Sequence, residues 1–386
     1  MKEFSFSTRV FFGENALDRL RKVKDRNVLI VTDAFMAKSG VAELVASHLT
    51  DCRVSIFSGV VPDPPIEVVT EGVKAMRDAH AEVMIAVGGG SSIDAAKAIR
   101  AVGNNIPELD TQIMECYAIP TTSGTGSEVT EYAVISDKAK GVKYPLDSKA
   151  LRPPTAILDP SLVVSAPPSV TADTGMDVLT HAIEAYVAQN ANDFSDALAE
   201  KALTLVFRFL NEAYLDGKDL LAREKMHNAS CMAGLAFNSA GLGLNHGIAH
   251  AIGAKFHIPH GRANSIVLPH VIQYNAQLHK NRLGKEDGYT VTARKYQRVA
   301  RILDLPAANV HIGVNNLIRE IEKLAKGMAV PATLKDAGVD MKAFEAQRKE
   351  LVELALADAT TASNPVKPTA EDVDKILSQL SGFNNR

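Results

Sequence analysis

The hydrophobic pattern along this chain changes character once. From the N-terminus to about residue 160, short β-branched or aliphatic runs alternate with helix-length amphipathic segments. VLIVTD (28–33), RVSIFSGV (53–60), VMIAVGGG (83–90), CYAIPTT (116–122) and PTAILDP (154–160) predict strands. VAELVASHL (41–49), PPIEVVTEGVKAMRDAH (64–80) and SSIDAAKAIRAV (91–102) predict helices between them. Such alternation is the signature of a parallel sheet with crossover helices, and AVISDKAKGVKYP (133–145) reads as a hairpin inserted into it.

After LDPSLVVSAPPSV (158–170) the strand signals cease. The remainder has helical period, with long segments such as DALAEKALTLVFRFLNEAYL (196–215) and REKMHNASCMAGLAFNSAG (223–241). The pattern predicts an α/β domain over 1–167, with a Rossmann-like parallel sheet, followed by an all-α domain over 168–386. The break falls at Pro167–Pro168.

Composition narrows the class without identifying it. The 386 residues are 46% hydrophobic, enough for a sizeable core, and the formal charge of −3 carries no long run of one sign. This disfavours nucleic acid or an anionic membrane as the main partner. MKEFSFSTRVFFG lacks the apolar region of a signal peptide, and no stretch is long enough to span a bilayer. Cys52, Cys116 and Cys231 are far apart and read as reduced, buried thiols. The expectation is a cytoplasmic globular protein.

Candidate chemistry begins at VGGGSSIDAAK (87–97), at the end of a predicted strand and the start of a predicted helix. Gly88, Gly89 and Gly90 let the backbone approach an anion, while Ser91 and Ser92 can cap a helix whose N-terminus attracts phosphate. The spacing is not GxGxxG, and a tight turn that binds nothing accounts for the same residues. Asp33, ending the first strand, suits ribose hydroxyls; alone it is more often a helix cap or turn residue, and together with the glycine loop it favours NAD over NADP. AIPTTSGTGSEVT (118–130) places hydroxyl and backbone donors at a strand's carboxyl end, or is a plain polar loop. Lys143 is either an exposed hairpin lysine or a cation for the cofactor.

The segment VTADTGMDVLTHAIEAY (170–186) is apolar nearly all round, which predicts a buried helix. On it, Asp177 and His181 stand four apart and share a face. An unpaired buried carboxylate is costly, and a metal or a charge partner resolves the cost. GLGLNHGIAHAIGAKFHIPHGRAN (241–264) adds His246, His250, His257 and His260, so that five of the eleven histidines lie between His246 and His270. Imidazoles with a carboxylate suit zinc or iron(II) and not a calcium-type oxygen cage. His227, His257 and His270 are assigned structural roles.

GMDVLTHAIEAY, GLGLNHGIAH and PHGRANSIVLP resemble the signature segments of the iron-containing (group III) alcohol dehydrogenase family. AVGGGSSIDAAK and IPTTSGTGSEVT resemble its cofactor segments, in the same order, and the similarity runs along essentially the whole chain. KGVKYPL, REKMHNAS and DFSDALAEKA are most similar to the branch of 1-propanol dehydrogenases from propanediol-utilisation microcompartments. The resemblance implies the dehydroquinate synthase-like, iron-containing alcohol dehydrogenase fold. It implies Fe2+ (with zinc as the alternative) on Asp177, His181, His246 and His260, and His250 beside the metal as a proton relay without ligating. It implies NAD, with NADP less favoured, on Asp33, Gly88, Gly89, Gly90, Ser91, Thr121, Thr122, Thr125 and Lys143. Asp63 in VPDPP stands where relatives often carry asparagine near the adenosine.

The implied reaction is hydride transfer between a small primary alcohol, bound to the cation as its alkoxide, and nicotinamide. The implied assembly is a homodimer or higher homo-oligomer, with microcompartment enzymes as further partners. FSFSTRVFFG could pair strands across such a dimer or form an ordinary edge strand. A glycerol or diol dehydrogenase of the same superfamily is the alternative. A dehydroquinate synthase-like lyase would need lysines and arginines around the metal, where these helices are apolar. A metal-storage or shell protein would leave the glycine loop without a purpose.

Overall fold

The computed structural model describes residues 3–107, 112–137, 142–281 and 288–381. The chain divides into two compact units: Met1–Ala166 with Gly217–Asn238, and Pro167–Asp216 with Ser239–Arg386. The return of 217–238 to the first unit is absent from the sequence-based division at 167/168. Residues 217–238 read as one more amphipathic helix in a helical run, and nothing in their period marks which core they join.

In the first unit, β1 (Arg9–Phe12), β2 (Asn27–Asp33), β3 (Arg53–Val60), β4 (Val83–Gly88) and β5 (Glu115–Pro120) are followed by the hairpin β6 (Tyr132–Asp137) and β7 (Val142–Asp147), then β8 (Thr155–Leu158). Six strands form one sheet in the order β1-β8-β5-β4-β2-β3, every neighbouring pair parallel. β6 and β7 pair antiparallel as a separate two-stranded ribbon, as the hairpin pattern predicts. β1 is an edge strand paired with β8. Among the described helices, α1 (Ala34–Lys38), α2 (Val41–Ser47), α3 (Ile66–Asp78) and α4 (Gly90–Gly103) belong to this unit.

A sheet covered on both faces buries both sets of alternating side chains, which is why its central strands read as continuous apolar runs. Leu29, Val31, Met84 and Ala86 face a core shared with Val69 and Met76 of α3 and Ile93 and Ile99 of α4. The intervening Val28, Ile30, Val83, Ile85 and Val87 face another, with Leu17, Leu20, Val45 and Leu49. After β2 the chain winds outward to β3, then crosses to β4 on β2's other side. The carboxyl ends of β2 and β4 therefore form a topological switch point, where open α/β sheets bind ligands. Asp33 and Gly88 are the residues that end those strands.

α5 (Pro168–Val187), α6 (Asp193–Leu215), α7 (Leu220–Ala240), α8 (Leu244–Phe256), α9 (His260–Ala276), α10 (Val291–Ile302), α11 (Val310–Gly327), α12 (Met341–Ala357) and α13 (Ala370–Leu380) follow. All but most of α7 lie in the second unit. α5 is buried almost without interruption from Gly175 to Val187 and packs against α6 and α9. α8, α9, α12 and α13 share a core through Leu244, Ile248, Ile266, Phe344, Leu351 and Ile376. Gly261 lets α9 begin directly against α5: a Cβ there would stand 1.9 Å from the Asp173 carbonyl oxygen.

Among the described residues, no helix is long and apolar enough to cross a membrane. Cys116 and Cys231 are buried free thiols, as expected, but Cys52 is only partly buried. Cys52 follows the α2 turn outside the sheet's inner strands, which explains the difference.

Candidate metal centre

Within the second unit, three helices deliver the predicted ligands. α5 carries Asp177 and His181 one turn apart, α8 carries His246, and α9 opens on His260. The three Nε2 atoms converge on one carboxylate. His260 Nε2 is 3.3 Å and His246 Nε2 3.9 Å from Asp177 Oδ1, and His181 Nε2 is 3.9 Å from Oδ2. One donor atom from each of the four lies within 4.8 Å of all the others. Tetrahedral ligands about 2.1 Å from a cation stand about 3.4 Å apart, so small side-chain adjustments close this cluster around one ion. Three neutral nitrogen donors and one carboxylate fit a divalent first-row metal. Asp177, His181 and His246 are buried, while the His260 side chain is 42% exposed, leaving one open flank.

Two features prepare His246 for this role. Burial, and then the neighbouring His181, His260 and His250, drive its pKa well below the ordinary imidazole value, which keeps a lone pair available for a cation. Its other ring nitrogen, Nδ1, is hydrogen-bonded to Glu184 Oε2. A carboxylate behind a ligating histidine fixes ring orientation and tautomer. Glu184 is itself pushed up to about 8 by burial, despite hydrogen bonds from the backbone N–H of Asn245 and His246. Glu184 was missed in the sequence, although it lies seven residues after Asp177 and so continues the same helical face.

His250, on α8, presents a different geometry. Its side chain is 42% exposed, its ring stacks on His260 at 5.2 Å, and its Nδ1 is 2.8 Å from Asp358 Oδ2. Burial alone would raise Asp358, but hydrogen bonds from His250 and from the Thr360 side chain and backbone outweigh it and bring its pKa to about 2. A carboxylate in that state only accepts, so His250 donates from Nδ1 and keeps Nε2 as its second functional nitrogen. Asp358 lies 108 residues away in sequence, with no spacing to announce the pair.

The other histidines lie elsewhere. His227 is buried in α7 with Nδ1 2.9 Å from Ser123 Oγ, and burial holds its pKa down at about 4. His257 ends α8 in the left-handed region at φ 54°, and His270 Nδ1 is 3.2 Å from Gln379 Oε1.

Within the first unit, the nucleotide-loop candidates assemble at the switch point. Asp33 Oδ1 caps α1 by accepting from the N–H of Phe35 and Met36, at 2.8 and 3.0 Å. Its Oδ2 accepts from Ser92 Oγ at 3.3 Å. The expected capping by Ser91 and Ser92 does not occur. α4 starts at Gly90, so both serines lie inside it, and Gly89 is the N-cap without a side-chain hydrogen bond. The helix end is thus bare backbone, which suits an anion better than a capped one. Gly88 has φ 142°, and a Cβ on Gly90 would stand 2.7 Å from Thr125 Cγ2. The threonine loop therefore lies directly on the glycine loop. Thr121 N–H donates to Gly88 O at 3.0 Å. Thr121 Oγ1 is buried and has no hydrogen-bond partner among the described residues, a vacancy that a ligand hydroxyl or phosphate oxygen fits.

Lys143 pairs with Ser136 in the hairpin, and its side chain lies outside the described residues. Asp63 adopts φ 50°, a left-handed conformation that Asp and Asn both tolerate.

Comparison with known proteins gives the same answer along both units. Residues 7–160 match the family model described as iron-containing alcohol dehydrogenase, and 171–381 match that of the Fe-containing alcohol dehydrogenase family, C-terminal. The chain is 47% identical to the 1-propanol dehydrogenase PduQ of Citrobacter freundii, over 98% of this chain and 100% of that protein. It is 45% identical to the PduQ of Salmonella typhimurium, again over 98% and 100%. Among solved structures, a 1,3-propanediol oxidoreductase superposes with a TM-score of 0.88 at 32% identity, over 98% of this chain and 100% of that one.

Proposed function

Because the chain belongs to the iron-containing alcohol dehydrogenase family, we propose that it interconverts small primary alcohols and aldehydes, propanol and propanal foremost, with NAD(H). The observation that carries the proposal is the convergence of Asp177, His181, His246 and His260 onto one cation-sized cluster. When bound, the cation supplies Lewis acidity to the alcohol or aldehyde oxygen, and the nicotinamide accepts or returns the hydride. Iron(II) is the proposed cation, and zinc is the alternative that the same donors accept.

The chain's own residues do the rest. Asp177 neutralises part of the cation's charge, and the three imidazoles hold it without adding any. His250 takes the substrate's proton at Nε2 while Nδ1–H stays on Asp358, and its exposed flank passes the proton to water. Gly88 to Gly90, Ser91 and the bare end of α4 bind the cofactor's phosphates, with Thr121, Thr122, Thr125 and Lys143 around them. Asp33 accepts from the ribose hydroxyls and repels the additional phosphate of NADP. The exposed Phe12 on the edge strand β1 supports a homodimer or higher homo-oligomer. The resemblance to propanediol-utilisation enzymes supports a cytoplasmic setting within a microcompartment. A diol substrate is the second reading, favoured by the likeness to 1,3-propanediol oxidoreductase.

The test is anaerobic reconstitution with iron(II), then oxidation of NADH and NADPH against C2 to C4 aldehydes and 3-hydroxypropanal. Propanal with NADH should give the highest kcat/KM. Asp33→Gly should narrow the NADH preference by about 1.5–3 kcal/mol, the range for a hydrogen bond to a charged group. NADH binding without oxidation by any aldehyde would defeat the proposal, and an unmoved cofactor ratio would leave Asp33 as a helix cap only.

A further inference from the structure

Behind the four predicted ligands lies a buried amide pair that neither the sequence reading nor the reaction uses. Asn264, on α9 one turn beyond His260, is fully buried. Its Nδ2 lies 2.7 Å from Asp177 Oδ1, 3.1 Å from His260 Nε2 and 3.2 Å from His246 Nε2. One amide group therefore touches donor atoms on three of the four ligands. Asn245, also fully buried, sets which end of that amide faces them. Its Nδ2 donates to Asn264 Oδ1 at 2.9 Å and to the Asn264 carbonyl oxygen at 3.2 Å, so Asn264 must turn its NH2 toward the cluster. The Asn264 carbonyl oxygen can only accept and so orients the Asn245 amide in turn, while the Asn245 backbone N–H donates to Glu184 Oε1 at 2.8 Å and Glu184 Oε2 bonds His246 Nδ1.

We infer that Asn264, locked by Asn245, is a positioning residue that sets the cation affinity of the Asp177, His181, His246 and His260 cluster. An imidazole nitrogen has one lone pair, which a cation takes, so the contacts to His246 and His260 serve the metal-free protein. A carboxylate oxygen has lone pairs to spare, so the hydrogen bond to Asp177 persists on loading and fixes the direction of that oxygen. In the metal-free protein the two N–H groups tie Asp177 Oδ1 to the ring nitrogen of His246 or His260, donor atoms that would otherwise spread. The ligands are thereby gathered before the cation arrives. Partners of this kind, one shell out from the ligands, typically govern about 10–100-fold in metal affinity.

The inference rests on the four-ligand reading, and the experiment separates the two. Metal-free protein is titrated anaerobically with cobalt(II) against a chromophoric chelator, and the cobalt d–d spectrum is recorded. His260→Ala is the control for the ligand set: wild-type cobalt affinity in this variant would sink the four-ligand reading itself. With that control behaving as a lost ligand, Asn264→Leu, which keeps the volume and removes the amide, should bind cobalt about 10–100-fold more weakly with an altered d–d spectrum. Asn245→Ala, which frees the amide to turn, should weaken binding in the same direction. The Asn264→Leu, Asn245→Ala double variant should be no weaker than Asn264→Leu alone. A folded Asn264→Leu with cobalt affinity within twofold of wild type overturns the inference. Should that variant fail to fold, an unchanged affinity in Asn245→Ala overturns it instead.

Discussion

Asp358 separates two roles that histidines four residues apart on one helix could otherwise share. His246 has a buried carboxylate behind Nδ1 and its Nε2 in the donor cluster. His250 has the exposed side chain and a carboxylate that also caps a turn, through Oδ1 contacts to the Thr360 N–H and hydroxyl at 2.9 and 2.6 Å. Asp358→Asn keeps an acceptor for that cap but removes the charge facing His250. We expect it to lower kcat by about 10–100-fold, less than the 10²–10⁴-fold of His250→Ala. KM and metal content should stay unchanged. The double variant should be no slower than His250→Ala, because Asp358 acts through that ring. Additive losses would show that Asp358 acts elsewhere, and a metal-poor His250→Ala would make His250 a ligand.

At the scale of elements, α4 also anchors the loop and hairpin beside its proposed phosphate-binding first turn. Asp94 accepts from Ser127 Oγ at 2.6 Å and from Val134 N–H at 2.9 Å, and buried Lys97 donates to Thr130 Oγ1 and Tyr132 O at 3.1 and 2.7 Å. These bonds pin the threonine loop and the start of the hairpin to the helix. Burial lowers Lys97 to about 8 and raises the adjacent, buried Glu128 to about 7 from its ordinary value of 4.5. A carboxyl whose folded pKa lies above its unfolded value binds more protons when folded, so stability falls as pH rises from 4.5 to 7. Relative to Glu128→Gln, the wild type should lose on the order of 3 kcal/mol across that window, at about 1.4 kcal/mol per pH unit. Denaturant midpoints at several pH values measure this, and parallel curves for the two proteins would contradict it. This cluster illustrates what the sequence conceals. The strands, the hairpin and the buried α5 are legible because burial imposes a period of two or a run of apolar residues. Asp94 and Lys97 look like an ordinary helix surface until the loop folds over them.

At the scale of the whole molecule, the same distinction runs through the candidate site. Asp177, His181, His246 and His260 stand out because charged or imidazole groups on apolar helices need a resolution. Glu184, as deeply buried on the same face of α5, carries that signal as well, whereas a lone asparagine in a helix, such as the buried Asn264, carries none. Asp358 reaches His250 only through tertiary folding, and the assignment of 217–238 to the first unit likewise depends on contacts that no local period encodes. The division by chain leaves each proposed task whole: the proposed nucleotide loops belong entirely to the first unit and the candidate four-ligand cluster entirely to the second. Loss of the cation should therefore abolish turnover while leaving NADH binding in place. The most direct test is to strip the protein with a chelator, verify its metal content by elemental analysis, and measure propanal-dependent NADH oxidation and NADH binding before and after adding iron(II) without oxygen. The account predicts a metal-free protein that binds NADH and does not turn over, with activity returning at one cation per chain. Full activity in verified metal-free protein would contradict it.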